Sequence, residues 1–109
     1  MAVTIWHNPR CSKSRETLKL LEARGIAPAV RDYQKEPPTM VELQDALMKL
    51  GQPASALIRW KDTNLSKEAG ENEILSALTA NPKLIERPLV LTETAARIGR
   101  PPETVLEIL

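Results

Sequence analysis

The apolar positions of this chain recur at two periods, and the switches between them mark its elements. Val3-Thr4-Ile5-Trp6 leads into His7 as a short run of β-branched and aromatic types, which predicts a buried strand over 3–7. From Ser12 to about Arg24 the spacing changes. Ser14, Leu18, Leu21 and Gly25 share one stripe at steps of four and three, predicting an amphipathic helix with Gly25 at its C-cap. Ala29-Val30-Arg31-Asp32-Tyr33 alternates apolar with polar residues and predicts a second strand with one face to solvent.

Pro37-Pro38 interrupts the pattern. Thr39 followed by Glu42 has the form of a capping box, and Met40, Leu43, Leu47 and Leu50 make a helical stripe that ends at Gly51. Pro53, at a first-turn position, predicts a short helix carrying Ala56, Leu57 and Ile58 toward Arg59. Residues 61–72 are polar. Asn72 is placed to cap a helix from Glu73 to about Ala80, with Ile74, Leu75 and Leu78 inward and Asn81-Pro82 ending it.

Leu89-Val90-Leu91-Thr92 and Ala95-Ala96-Arg97-Ile98 read as two strands joined tightly through Glu93-Thr94. Gly99-Arg100-Pro101-Pro102 is a loop, and Glu103 to Ile108 a last helix. The predicted fold is therefore α/β, one domain over 1–109. It has a four-stranded mixed sheet, flanking helices, and a helical insertion between the second and third strands. That order is thioredoxin-like (glutaredoxin-like), with the cysteine at the end of the first strand.

Composition narrows the function. No apolar run approaches the roughly 18–20 residues that span a bilayer, and no apolar h-region follows a basic start, so a cytoplasmic protein without membrane association is expected. A net charge of +1 gives no case for a nucleic-acid-binding surface. The single cysteine excludes an intramolecular disulfide and a cysteine-based zinc site, and no metal is expected. Any oxidised intermediate has to be resolved by an external thiol or a second copy.

The chemistry concentrates in His7-Asn8-Pro9-Arg10-Cys11-Ser12-Lys13-Ser14-Arg15. This stretch holds the only cysteine, the only histidine and three cations, and it has no acid. A thiol at a helix start faces unpaired N–H groups and the positive end of the macrodipole, which favour thiolate, as do nearby cations. The same N–H groups can hold an oxyanion. Ser14 lies one turn after Cys11, so its hydroxyl either bonds the sulfur or fills helix surface. His7 either acts on the thiol or simply ends the strand and caps a neighbour.

The chain resembles the glutaredoxin-linked arsenate reductase (ArsC-type) family, in particular its shorter bacterial members. The likeness covers essentially the whole length. It rests on the stretch from His7 to Arg15, Ala56-Leu57-Ile58-Arg59, the segment from Asn81 to Pro88, and the segment from Arg97 to Glu103. The resemblance implies an arsenate reductase in which Cys11 attacks arsenate, glutathione joins the adduct, and glutaredoxin resolves the mixed disulfide as arsenite leaves. It implies no bound cofactor, with glutathione and glutaredoxin as external reductants.

By the same resemblance Arg59, Arg87 and Arg100 hold arsenate or a similar oxyanion, His7 favours the Cys11 thiolate, and Ser14 matches the family's serine. Pro88 matches a cis-proline beside the thiol. The best-known plasmid-borne members have small residues where this chain has Arg10, Ser12 and Lys13. Two other functions are compatible with the motif. One is a glutathione-dependent monothiol oxidoreductase acting on mixed disulfides. The other is an Spx-like regulator binding RNA polymerase, although the Cys-x-x-Cys switch common there is missing because the second position is Ser14.

Overall fold

The computed structural model describes residues 2–109. Its sheet has the order β2 (Ala29–Asp32), β1 (Thr4–His7), β3 (Leu89–Leu91), β4 (Ala96–Ile98). β1 and β2 run parallel, with His7 opposite Asp32, while the β1–β3 and β3–β4 pairs are antiparallel. Parallel neighbours need a crossover, and α1 (Ser12–Ala23) supplies it. Helices α2 (Met40–Leu50) and α3 (Glu71–Ala80) form the insertion between β2 and β3. The arrangement is the thioredoxin-like one expected from the order of elements.

The central strands are apolar throughout because both faces are covered. Ile5 and Val90 meet Leu21 of α1 and Val105 on one side. Trp6, Leu89 and Leu91 turn to the other side, into a larger core with Leu43, Leu57 and Leu78. His7, the last residue of β1, thus emerges between two packed layers and delivers the next residues to the sheet's end.

The helix ends follow their local chemistry. The Thr39 hydroxyl accepts from the Glu42 N–H and the Glu42 carboxylate accepts from the Thr39 N–H, completing the capping box. Gly51 closes α2 at φ +72°. After α1 the C-cap is Arg24 rather than Gly25. Gly25, at φ +76°, is the next residue, its N–H donating to Glu22 O and that of Ile26 to Leu21 O.

Several expectations need correction. β2 is an edge strand that stops at Asp32 and is exposed on both faces, with Val30 53% exposed. Tyr33 belongs to the turn after it. On α1 the predicted stripe holds, with Ser14 and Leu21 buried and Leu18 packed against the core, and Thr17 widens it, fully buried beside the Gly99 loop. Pro53 precedes a single 3₁₀ turn at Ala54–Ala56 instead of sitting in its first turn.

The third helix starts at Glu71 with Gly70 as its N-cap, two residues before the predicted start, and the Glu71 carboxylate takes the Ala54 N–H instead. In the β3–β4 hairpin the Thr92 hydroxyl accepts from the N–H groups of Thr94 and Ala95, which explains a tight turn without glycine or asparagine. The last helix winds as 3₁₀ over Pro102–Ile108. Among the described residues no helix is long and apolar enough to cross a membrane.

Candidate active site

The strand–turn–helix junction fixes Cys11. Its N–H donates to Asn8 O at 3.0 Å, and the Asn8 side-chain oxygen accepts from the Arg10 N–H at 3.0 Å, folding 8–11 into a tight turn. Cys11 itself is the N-cap of α1, with extended φ −95° and ψ 123°. No side-chain oxygen caps this helix and no acid occupies its first turn. The sulfur forms no cap hydrogen bond, but the backbone N–H groups of Ser14 and Lys13 at the helix start favour its thiolate.

Burial of the thiol pushes its pKa up. The Ser14 and Lys13 N–H groups, the charge of Arg100 and the Arg87 guanidinium outweigh that burial, so the pKa lies below its ordinary value. Arg100 Nη2 stands 3.5 Å from Cys11 Sγ. Its Nε donates to Arg87 O at 2.8 Å. The loop carrying Arg100 can approach α1 because Gly99 has no side chain. A Cβ there would lie 2.6 Å from Thr17 Oγ1 and 2.8 Å from Pro88 Cγ. The Gly99 N–H donates to Pro88 O, and both the Arg87–Pro88 and Arg100–Pro101 bonds are cis.

Arg59, Arg87 and Arg100 line one cleft of about 510 Å³ with Cys11 and Arg10. The structure thus brings together three arginines that the sequence leaves 28 and 13 residues apart (87 − 59 and 100 − 87). They are not equivalent. Arg59 is 8% exposed, its Nε donating to Asp62 at 2.7 Å and its Nη1 to Glu86 at 3.0 Å. The same Glu86 oxygen lies 3.3 Å from Arg100 Nε. Arg87 Nη1 donates to Lys83 O at 3.0 Å, and its Nε is buried without a partner.

Ser14 and His7 form a unit of their own. The Ser14 hydroxyl is fully buried, 2.6 Å from His7 Nδ1, and accepts from the Asn8 N–H at 3.0 Å. It therefore neither fills helix surface nor bonds the sulfur; the group of Ser14 that reaches Cys11 is its backbone N–H. Burial lowers the His7 pKa, Asp32 on the neighbouring strand opposes that, and Arg15 adds to it. The net direction favours the neutral imidazole.

Sequence reasoning missed four residues of this site. Asp62, three residues after Arg59, has the spacing of a short-range ion pair and could have been found from it. Glu86 lies inside a matched segment but carries no local signal of its place between two arginines. Gln34 lines the cleft and Tyr33 lies buried behind it, and only the tertiary fold brings either there. Among the described residues no group of three or more His, Cys, Asp or Glu could hold a metal ion.

Comparisons with known proteins span nearly the whole chain. The ArsC family profile matches residues 6–108. The arsenate reductase of Haemophilus influenzae is 46% identical, with 100% of each chain covered. The protein YfgD of Escherichia coli K12, described as uncharacterized, is 47% identical over 98% of this chain and 96% of its own. The solved structure of an arsenate reductase from Vibrio cholerae superposes with a TM-score of 0.92 at 46% identity, covering 100% of this chain and 98% of that one. With the profile covering residues 6–108 and relatives of this identity matching over the full length, the protein belongs to the ArsC family.

Proposed function

We propose that this protein reduces arsenate to arsenite, with glutathione and glutaredoxin as external reductants and Cys11 as the nucleophile. The observation that carries the reading is the Arg100 guanidinium at 3.5 Å from a helix-capping thiol, inside an arginine-lined cleft. The identity of 46% to the Haemophilus influenzae arsenate reductase supports the substrate.

The lowered pKa of Cys11 raises the fraction of attacking thiolate near neutral pH. Arginine forks can donate paired hydrogen bonds to a tetrahedral oxyanion and stabilise negative charge as it shifts during attack. An S–As bond forms and an As–O bond breaks, the oxygen leaving as water. Glutathione then joins the adduct. As a sulfur–sulfur bond forms, the electron pair of an As–S bond stays on arsenic. Overall, arsenate and two thiols give arsenite, a disulfide and water. With one cysteine in the chain, the disulfide includes glutathione, and glutaredoxin returns Cys11 to the thiol.

The test is NADPH consumption with purified protein, glutathione, glutaredoxin and glutathione reductase, with and without arsenate. Arsenate-dependent turnover that disappears in Cys11→Ser is the expected result. A flat trace beside an active known arsenate reductase would overturn the reading. Turnover of a glutathionylated peptide without arsenate would replace it with mixed-disulfide reduction.

A further inference from the structure

Two buried side-chain atoms among the described residues have no hydrogen-bond partner, Tyr33 Oη and Arg87 Nε. Both belong to the wall around Cys11. Tyr33 is fully buried and follows β2 directly, with the Asn8 and Gln34 amides and the Arg87 guanidinium around its hydroxyl. The two amides lie close enough to act on the phenol without reaching hydrogen-bond geometry with it. Asn8, Gln34 and Arg87 line the cleft, whereas Tyr33 stands one layer behind them. Burial raises the phenol's pKa, so at neutral pH the group is a protonated donor.

A phenylalanine would fill the same space without burying an unpaired hydroxyl, so packing alone gives no reason for the oxygen. Arg87 Nε can only donate, whereas Tyr33 Oη can donate or accept, and neither has a partner among the side chains and backbone around it. An oxyanion entering the cleft would bring acceptors to Arg87 and to the amide N–H groups of Asn8 and Gln34, which line it with Arg87.

We propose that Tyr33 is a positioning residue of the cleft, its hydroxyl donating to the side-chain oxygen of Gln34 or Asn8 when their N–H groups turn to a bound oxyanion, and so holding those side chains beside Arg87. The inference rests on the oxyanion reading of the cleft. It assigns Tyr33 to binding and not to attack by sulfur, since Cys11 already has its own backbone and arginine donors.

The test measures how well arsenate protects Cys11 from alkylation in wild-type protein and in Tyr33→Phe, together with thermal midpoints and steady-state constants. The expected Phe variant melts no lower than wild type. It needs about tenfold more arsenate for half-protection, and its KM rises while kcat stays within about twofold. Tyr33 is the only tyrosine, so 3-fluorotyrosine labelling of the unmutated chain gives one ¹⁹F resonance, which is expected to move on adding arsenate. If arsenate does not protect wild-type Cys11, the oxyanion reading falls and takes the proposal with it. If wild type is protected, the proposal alone is overturned by equal protection of the Phe variant, by a stationary ¹⁹F resonance, or by a Phe variant that melts below wild type.

Discussion

Arg100 Nη2 and Cys11 Sγ stand 3.5 Å apart although 89 residues separate them in sequence. The contact is part of what holds the thiol pKa down, so its removal has a signed consequence. Arg100→Ala is expected to raise the pH midpoint of Cys11 alkylation and to lower arsenate turnover by about 10²-fold, the usual scale for losing one donor to developing charge. Arg100→Lys keeps a charge but not the fork, and should restore the midpoint more than the turnover. Iodoacetamide rates across pH, followed by assay of the same samples, separate the two effects.

Ser14→Ala tests the pair behind the thiol. The hydroxyl lies 2.6 Å from His7 Nδ1 and accepts from the Asn8 N–H, so alanine leaves two buried groups unpaired. A loss of about 1–3 kcal/mol is expected, visible in thermal or denaturant melting. The Ser14 N–H that acts on Cys11 remains, so the alkylation midpoint should move less than in Arg100→Ala.

Gly99→Ala places a methyl 2.6 Å from Thr17 Oγ1 and 2.8 Å from Pro88 Cγ. Overpacking of this kind costs about 1–3 kcal/mol and should displace the Arg100 loop, reducing turnover as well as stability. Adding Thr17→Ala removes one of the opposing atoms, and the double variant is expected to melt above Gly99→Ala alone.

Glu42 serves the α2 capping box and the Arg31 ion pair, and the Arg31 hydrogen bonds bring its pKa down to about 2. A carboxyl whose folded pKa is depressed stabilises the fold above its unfolded value, and that contribution is lost as pH falls toward the folded one. Wild type should therefore lose stability relative to Glu42→Gln between roughly pH 5 and pH 2. At neutral pH the variant should be less stable by about 1 kcal/mol, a figure kept small because the pair is solvent-exposed. Paired denaturant melts at pH 7 and pH 3 measure both.

Much of this fold was legible from local chemistry. The Thr39–Glu42 box, the glycines after α1 and α2, and the apolar central strands each carry their signal within a few residues. Where the reading slipped, the deciding partner was distant. The start of α3 depends on Glu71 reaching Ala54, the burial of Thr17 beside the α1 stripe on a glycine loop, and the exposure of Val30 on β2 lying at the sheet edge. At the site, the thiol's helix-start setting was visible from the order of residues. That Ser14 would spend its hydroxyl on His7, and Arg59 its guanidinium on Asp62 and Glu86, required coordinates.

Those two carboxylates change what the cleft offers an anion. A guanidinium stripped of its ligand must reorganise or recruit solvent before the next encounter. Arg59 keeps Asp62 and Glu86, and Glu86 also faces Arg100. Without a ligand, then, the arginine charge of the cleft is already partly met by carboxylates. On the proposed function, an incoming oxyanion competes with carboxylates already in place, and this cleft should hold it less tightly than three unpaired arginines would.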